Sequence, residues 1–247
     1  MLKKIEGVVI SETPYKDNSK ILNILTKDGI IGLISKGCKN LKSPLRLISS
    51  KLVYAEFTIY YNESSLSTLK EGSIINNFSY IRTEPSLIPY SVYIYITDLV
   101  RQVVKQTETN NIYDLYISTI KKIEDGLNPI VMMNILEIKL LDYLGCPIEL
   151  NACAKCGSNK NIITIDPDVG GYICKNCYTH EIIYDEKTRK MLRMYYLVDI
   201  DTIKELKIKD YVVDNINNFL TMYYDRYTGI YIHTKKFLDK TLNYWLL

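Results

Sequence analysis

Four cysteines in two short pairs, Cys153 with Cys156 and Cys174 with Cys177, constrain this chain more than any other feature. Each pair has the form C-x2-C, and 17 residues separate the pairs. Two thiolates on one tight turn supply one edge of a tetrahedron, and a second such turn supplies the opposite edge. That pattern is the spacing of a structural zinc site. Gly157 follows the first pair and Gly170-Gly171 precede the second, where the backbone must turn sharply toward the ion. Between the pairs, Ile162-Ile163-Thr164-Ile165 and Tyr172-Ile173 are expected to form the strands of a zinc ribbon. Four thiolates leave no open position for water, so the metal reads as structural rather than catalytic. A redox site would need one C-x2-C beside a βαβ pattern, and neither pair has one. An iron–sulfur cluster is the alternative metal reading, and His180 stands near enough to Cys177 to replace a sulfur. Cys38 and Cys146 read as small apolar residues.

The segments on either side differ in hydrophobic period. Over residues 1–80, Val8 and Ile10, Leu22 and Ile24, and Ile31 and Leu33 alternate with polar or small neighbours. Leu52–Tyr61 adds a run of aromatic and β-branched residues. Turn signals stand at Lys27-Asp28-Gly29, Lys36-Gly37, Asn62-Glu63-Ser64-Ser65 and Glu71-Gly72. About five short strands in so few residues suggest a small barrel of the OB type. Near Pro85–Pro89 the period becomes helical: Tyr93, Ile96, Leu99, Val100, Val103 and Val104, then Leu115, Ile117, Ile120 and Ile123. A third helix has legible ends, with Asn128 as cap, Pro129 in the first turn and Gly145 to close it. Glu186–Leu197 and Tyr211–Tyr224 are also expected to be helical. The fold class is therefore α+β and multidomain. A barrel occupies 1–80, a helical domain 81–150 and 181–247, and the four-cysteine ribbon is set into it at 151–180.

Bulk composition excludes several classes. At 247 residues with 47% hydrophobic and 24% charged content, the chain reads as globular. No run of about 18 apolar residues is present to span a bilayer. The N-terminal stretch has basic residues without a continuous apolar core, so no signal peptide is expected. A cytoplasmic location follows as the expectation. The chain has only His180 and His233, no second histidine to complete a zinc-protease motif, and no dinucleotide-binding glycine pattern. The GLISKG run places Cys38 where a phosphate-binding loop needs lysine. No catalytic constellation stands out.

Charge is distributed unevenly. Residues 1–78 carry 11 basic against 7 acidic residues, and residues 79–150 carry 6 against 9. A polyanion would be drawn first to the N-terminal part. Within it, Gly29–Ala55 contains no acid, while Ser35–Ala55 contains Lys36, Lys39, Lys42, Arg46 and Lys51. Gly37, Asn40 and Pro44 mark this stretch as loop. A basic loop beside a barrel face is how single-strand binders hold a phosphate backbone. Tyr15, Tyr54, Phe57, Tyr60 and Tyr61 are the nearby aromatics, and strand alternation sends about half of those in Leu52–Tyr61 inward.

EIKLLDYLGCPIELNACAKCG (Glu137–Gly157) and GYICKNC (Gly171–Cys177) resemble the bacterial RecO family of recombination mediators. The opening GVVISETPYKDNSKILNILTKDGIIGLISKG resembles that family's first barrel strands, KGCKNLKSPLR its basic loop, and HTKKFLDKTL its closing helix. The resemblance covers nearly the whole chain. It implies an N-terminal OB domain, a helical domain and a zinc module. It implies a protein that is not an enzyme, which binds single- and double-stranded DNA and anneals complementary strands. Strands coated by single-stranded DNA-binding protein (SSB) are included. Its implied partners are the C-terminal tail of SSB and the RecR protein, with recombinase loading as the outcome. On this basis Lys36, Lys39, Lys42 and Arg46 are expected to contact phosphate, with Lys20 and Lys51 as further contacts, while Cys153, Cys156, Cys174 and Cys177 hold zinc. The SSB tail would need an apolar groove rimmed by basic residues, with Lys187, Arg189, Lys190 and Arg193 as candidates. Two other classes stay open: a zinc-ribbon and OB protein that binds RNA or assists transcription, and a nuclease with dispersed carboxylates.

Overall fold

In a computed structural model, which describes residues 1–107 and 110–245, the alternating N-terminal segment forms five strands. They are β1 (Leu2–Tyr15), β2 (Ser19–Thr26), β3 (Gly29–Ser35), β4 (Tyr54–Tyr60) and β5 (Ser67–Asn76). They close into a barrel in the order β1-β2-β3-β5-β4. All pairings are antiparallel except β3 with β5, which meet in parallel at Leu33 and Ser67. A short helix, α1 (Leu45–Ile48), lies between β3 and β4. Five strands in a closed barrel make the N-terminal domain OB-like, as expected.

Ile5, Val9, Leu22, Ile24, Leu33, Phe57, Ile59 and Leu69 fill the barrel, joined by Ile48 from α1. Strict alternation does not hold in β1. Val9 enters the barrel core, yet Val8 and Ile10 on the opposite face are fully buried too. The register shifts between Val9 and Ser11, so the long strand bends there. The reason for two buried faces is an outer apolar layer. Phe78 stacks on Tyr54 and meets Tyr93 edge-on. Tyr93 belongs to α3 (Ile88–Val103), and its hydroxyl donates to Leu52 O at 3.0 Å.

Glu71-Gly72 is not a turn. It lies within β5, where Gly72 pairs with Phe57 of β4. A Cβ at Gly72 would stand 2.5 Å from Glu56 O. Glycine is needed there for close backbone approach rather than for chain reversal.

The helical period yields α2 (Ser79–Thr83), α3, α4 (Asn110–Glu124), α5 (Pro129–Tyr143), α6 (Glu186–Leu197), α7 (Asp210–Tyr227) and α8 (His233–Trp245). Asn128 caps α5 as expected, its side chain accepting from Ile130 N and Val131 N. α5 is buried almost all round between Val131 and Leu141. Lys139 is the exception, and its Nζ donates to Tyr196 O at 3.0 Å. The chain divides into two compact units, Met1–Ile117 and Ser118–Leu247, so the boundary falls within α4. The first contains the barrel with α2 and α3, and the second contains α5 to α8 and the cysteine module.

The module holds three strands, β6 (Glu149–Cys153), β7 (Ile162–Asp166) and β8 (Gly171–Cys174), in the order β6-β8-β7. β7 and β8 are the expected ribbon strands. β6 was not expected, because it pairs in parallel with β8 and has no local turn to announce it. No helix among the described residues is long and apolar enough to cross a membrane.

Candidate functional site

The cysteine module brings its four sulfurs together. Ligand atoms of Cys153, Cys156, Cys174 and Cys177 all lie within 4.8 Å of one another. Cys156 Sγ and Cys174 Sγ are 3.7 Å apart. A tetrahedral ion with bonds of about 2.3 Å to sulfur requires sulfurs about 3.8 Å apart, so the cluster could hold a metal ion. The knuckles are local structures. Gly157 N donates to Cys153 O at 2.8 Å, and Tyr178 N donates to Cys174 O at 3.0 Å. Gly157 adopts φ +72°, which allows the reversal after the first pair. Gly171 serves differently from expectation: a Cβ there would sit 2.5 Å from Glu149 O, so it permits β6 to lie against β8.

The sulfur protons are unevenly held. Burial raises the Cys153 thiol, but N–H groups of Cys174, Lys155 and Cys156 outweigh it and bring the value down to about 6. Bonds to Cys156 and Cys174 push Cys177 up to about 12. Backbone donors thus favour a thiolate at the buried corner, as a metal site needs. His180 is exposed, outside the cluster, and its N–H donates to Glu181 Oε2 at 3.1 Å. Glu181 also accepts from Lys155 Nζ at 2.5 Å, which links the first knuckle to the segment that follows the second.

The module is fastened to α6. Arg189 Nη1 donates to Ile163 O and to Tyr184 O, while Arg189 O accepts from the Tyr172 hydroxyl at 3.0 Å. Thr164 Oγ1 donates to Ile182 O at 2.6 Å. Arg189 therefore faces the ribbon, and Arg193, one turn later, places its charge near Tyr172. The other two basic residues of that run point elsewhere. Lys187, Lys190, Met191 and Met194 share one helical face. With Lys207, Ile208, Lys209 and Val212 they line a groove of about 460 Å³. Its floor is apolar, and its rim is four lysines with no acid in the lining. Lys190 and Lys207 reach outward to Glu186 and Glu205 in exposed pairs, which contribute little. The sequence missed Lys207 and Lys209, which come from the segment just before α7, outside the α6 helical repeat.

The six basic residues expected to meet phosphate fall into three groups. Lys36, Lys42 and Arg46 are exposed, and their side chains have no partner among the described residues. Lys39 Nζ donates to the carbonyls of Lys16 and Asp17 at 3.3 and 3.4 Å, which keeps its charge beside the β1–β2 turn. Lys20 and Lys51 meet at Glu12, whose Oε2 accepts from Lys20 Nζ and from the Lys51 N–H, each at 3.0 Å. Lys51 Nζ lies 3.9 Å from Asp98. Both are therefore partly neutralised. Of the aromatics, Tyr54 and Phe57 are buried, Tyr60 is exposed, and Tyr61 lies under Lys3 Nζ at 5.2 Å. Cys38 is buried at the loop's start, and burial raises the Cys146 thiol.

The chain is similar to known proteins along most of its length. Residues 1–78 match the family profile described as Recombination protein O N terminal, and residues 85–236 match Recombination protein O C terminal. A DNA repair protein RecO of Listeria monocytogenes serotype 4b (strain CLIP80459) is 28% identical over 242 residues, covering 96% of this chain and 94% of the relative. The DNA repair protein RecO of Bacillus pumilus (strain SAFR-032) is 28% identical over 245 residues, covering 97% and 94%. That of Bacillus velezensis (strain DSM 23117 / BGSC 10A6 / LMG 26770 / FZB42) is 29% identical over 245 residues, covering 97% and 95%.

Proposed function

The chain belongs to the Recombination protein O family, and from that premise we propose that it is a non-enzymatic recombination mediator in DNA repair. It binds single- and double-stranded DNA and anneals complementary strands. The observation that carries this function is the acid-free basic loop, which presents Lys36, Lys42 and Arg46 without partners among the described residues, beside the β1–β2 turn of a closed five-stranded barrel. Barrels of this type take oligonucleotides through the β2–β3 face and the flanking loops. Lys39 adds a cation held at the turn, and Lys20 and Lys51 are weaker contacts because carboxylates share them. Annealing needs no covalent chemistry. Cations neutralise two repelling strands and leave their base edges free to pair.

The lysine-rimmed groove of the second unit suits the acidic, apolar C-terminal tail of SSB. Met191, Met194, Ile208 and Val212 would take its apolar side chains, and Lys187 and Lys209 its carboxylates. The ion is zinc: a closed set of four thiolates suits a soft, structural, four-coordinate metal. It would hold together a module with few apolar residues of its own. In this proposal RecR is a further partner, and loading of the recombinase is the outcome. The division 1–80, 81–150, 151–180 and 181–247 assigns DNA to the first part, the metal to the third, and the tail to the last. Action at the nucleoid places the protein in the cytoplasm.

The test is annealing of complementary DNA strands already coated with SSB, followed by fluorescence. The protein should accelerate pairing, and the acceleration should vanish when the SSB tail is deleted. No acceleration by a folded, metal-loaded protein would refute the mediator role.

A further inference from the structure

The basic loop carries two side chains that phosphate binding does not need. Leu41 is 83% exposed and Leu47 is 69% exposed, and each stands among cations. Lys39 and Lys42 flank Leu41, and Arg46 immediately precedes Leu47. A single exposed leucine on a loose loop is ordinary. This loop is held firmly. Three successive turns run through it: Asn40 N donates to Gly37 O at 3.2 Å, Ser43 N to Asn40 O at 3.1 Å, and Arg46 N to Ser43 O at 3.1 Å. Cys38 is buried at one end, and Ile48 enters the barrel core at the other. The buried hydroxyls of Ser35 and Ser49, 2.7 Å apart, close the base. The loop is also tied to the β1–β2 turn, where Lys39 N donates to Asn18 O at 3.1 Å. Both leucines are thus presented outward on a backbone with little freedom left to lose on contact.

We infer that Leu41 and Leu47 are base-contacting wedges, which lie against the unstacked bases of a single strand while the neighbouring cations hold its phosphates. This rests on the nucleic-acid function proposed above. A single strand alternates charged backbone with apolar base faces, and the loop alternates cations with apolar side chains. Leucine is among the residues that unstack base steps by insertion. Gly29–Ala55 contains no acid to repel the polyanion. Leucine also has no group with which to hydrogen-bond a base edge, so the contact is independent of sequence and leaves pairing edges free. A strand held this way meets its complement already unstacked.

The experiment uses the full chain and a mixed-sequence single strand with a central 2-aminopurine, whose emission rises on unstacking. Affinity is measured across a salt series for wild type, for Leu41→Ser with Leu47→Ser, and for Lys42→Gln with Arg46→Gln. The serine variant should keep the wild-type salt slope, bind about fivefold weaker per leucine from partial loss of apolar burial, and lose the emission rise at saturation. The charge variant should have a slope shallower by about 1.4, at about 0.7 per phosphate contact, and keep the emission rise. A serine variant with wild-type affinity and emission would overturn the inference. So would a serine variant that sediments as a smaller species than wild type, since the leucines would then be covered by a second copy. Absence of salt-dependent binding by wild type itself would instead remove the nucleic-acid function. All four substituted side chains are exposed, so thermal melting should match wild type and confirm that each variant folds.

Discussion

Replacing Arg189 by methionine isolates the join between the metal module and α6. The substitution keeps an unbranched apolar stem and removes the guanidinium. Two carbonyls, Ile163 O on β7 and Tyr184 O, then lose a charged donor. Loss of a hydrogen bond to a charged group costs about 1.5–3 kcal/mol when the site is dry. Arg189 is half-buried, so water compensates in part, and the pair together should cost about 2–3 kcal/mol. The Tyr172 hydroxyl still donates to Arg189 O, because that contact needs only the backbone. The readout is urea-induced metal release, followed with a chromogenic chelator, which reports the module rather than the barrel. With a urea slope of about 1–2 kcal/mol per molar, the midpoint should fall by about 1–3 M. Arg189→Lys keeps the charge but offers one compact donor group in place of the planar fork, and should recover about half of the loss. A methionine variant whose midpoint stays within about 0.2 M of wild type, on the same slope scale, would refute the join.

Other outcomes follow from single contacts. The protein should contain one metal ion per chain by elemental analysis, and Cys174→Ser or chelation should lower its melting temperature; a full metal complement after three of the four cysteines are replaced would rule out the site. Asp185 caps α6 by accepting from Thr188 N at 2.9 Å, so Asp185→Ala should destabilise by about 1 kcal/mol at neutral pH in urea unfolding. Hydrogen bonds from Thr188 hold that carboxyl below its ordinary value. The wild-type advantage should therefore be complete above about pH 4 and shrink as pH falls through the lowered value, and an advantage that grows on acidification would contradict the cap. Gly72→Val should destabilise the barrel by at least about 1–3 kcal/mol, since its Cβ would meet Glu56 O, and an unchanged melting temperature would place that strand pair wrongly.

Local chemistry made several features legible. The C-x2-C knuckles are closed by hydrogen bonds between residues three or four apart, so spacing alone predicts that their sulfurs converge. The ends of α5 were visible for the same reason, since Asn128 caps amides two and three residues away. The bounds of α6, Glu186–Leu197, also follow from its cap and apolar stripe. Glycine was ambiguous, because it serves turns and close approaches alike. Gly157 is the first kind, whereas Gly72 and Gly171 are the second, and only the strand placed opposite distinguishes them.

By itself, then, the sequence determined the two periods, the metal knuckles and the acid-free loop, all of which depend on residues within a few positions of one another. Tertiary structure alone decided which surfaces meet. β6 exists because Gly171 brings β8 against Glu149. Val8 and Ile10 are buried because the apolar layer that includes Phe78 and α3 gives β1 a second covered face. Helical spacing separates Lys187 and Lys190 from Arg189 and Arg193. It does not say that the first pair would face Lys207 and Lys209 across a groove while the second pair turned to the ribbon. That choice belongs to packing between separate elements, where burial of apolar area and pairing of backbone carbonyls select one face over another.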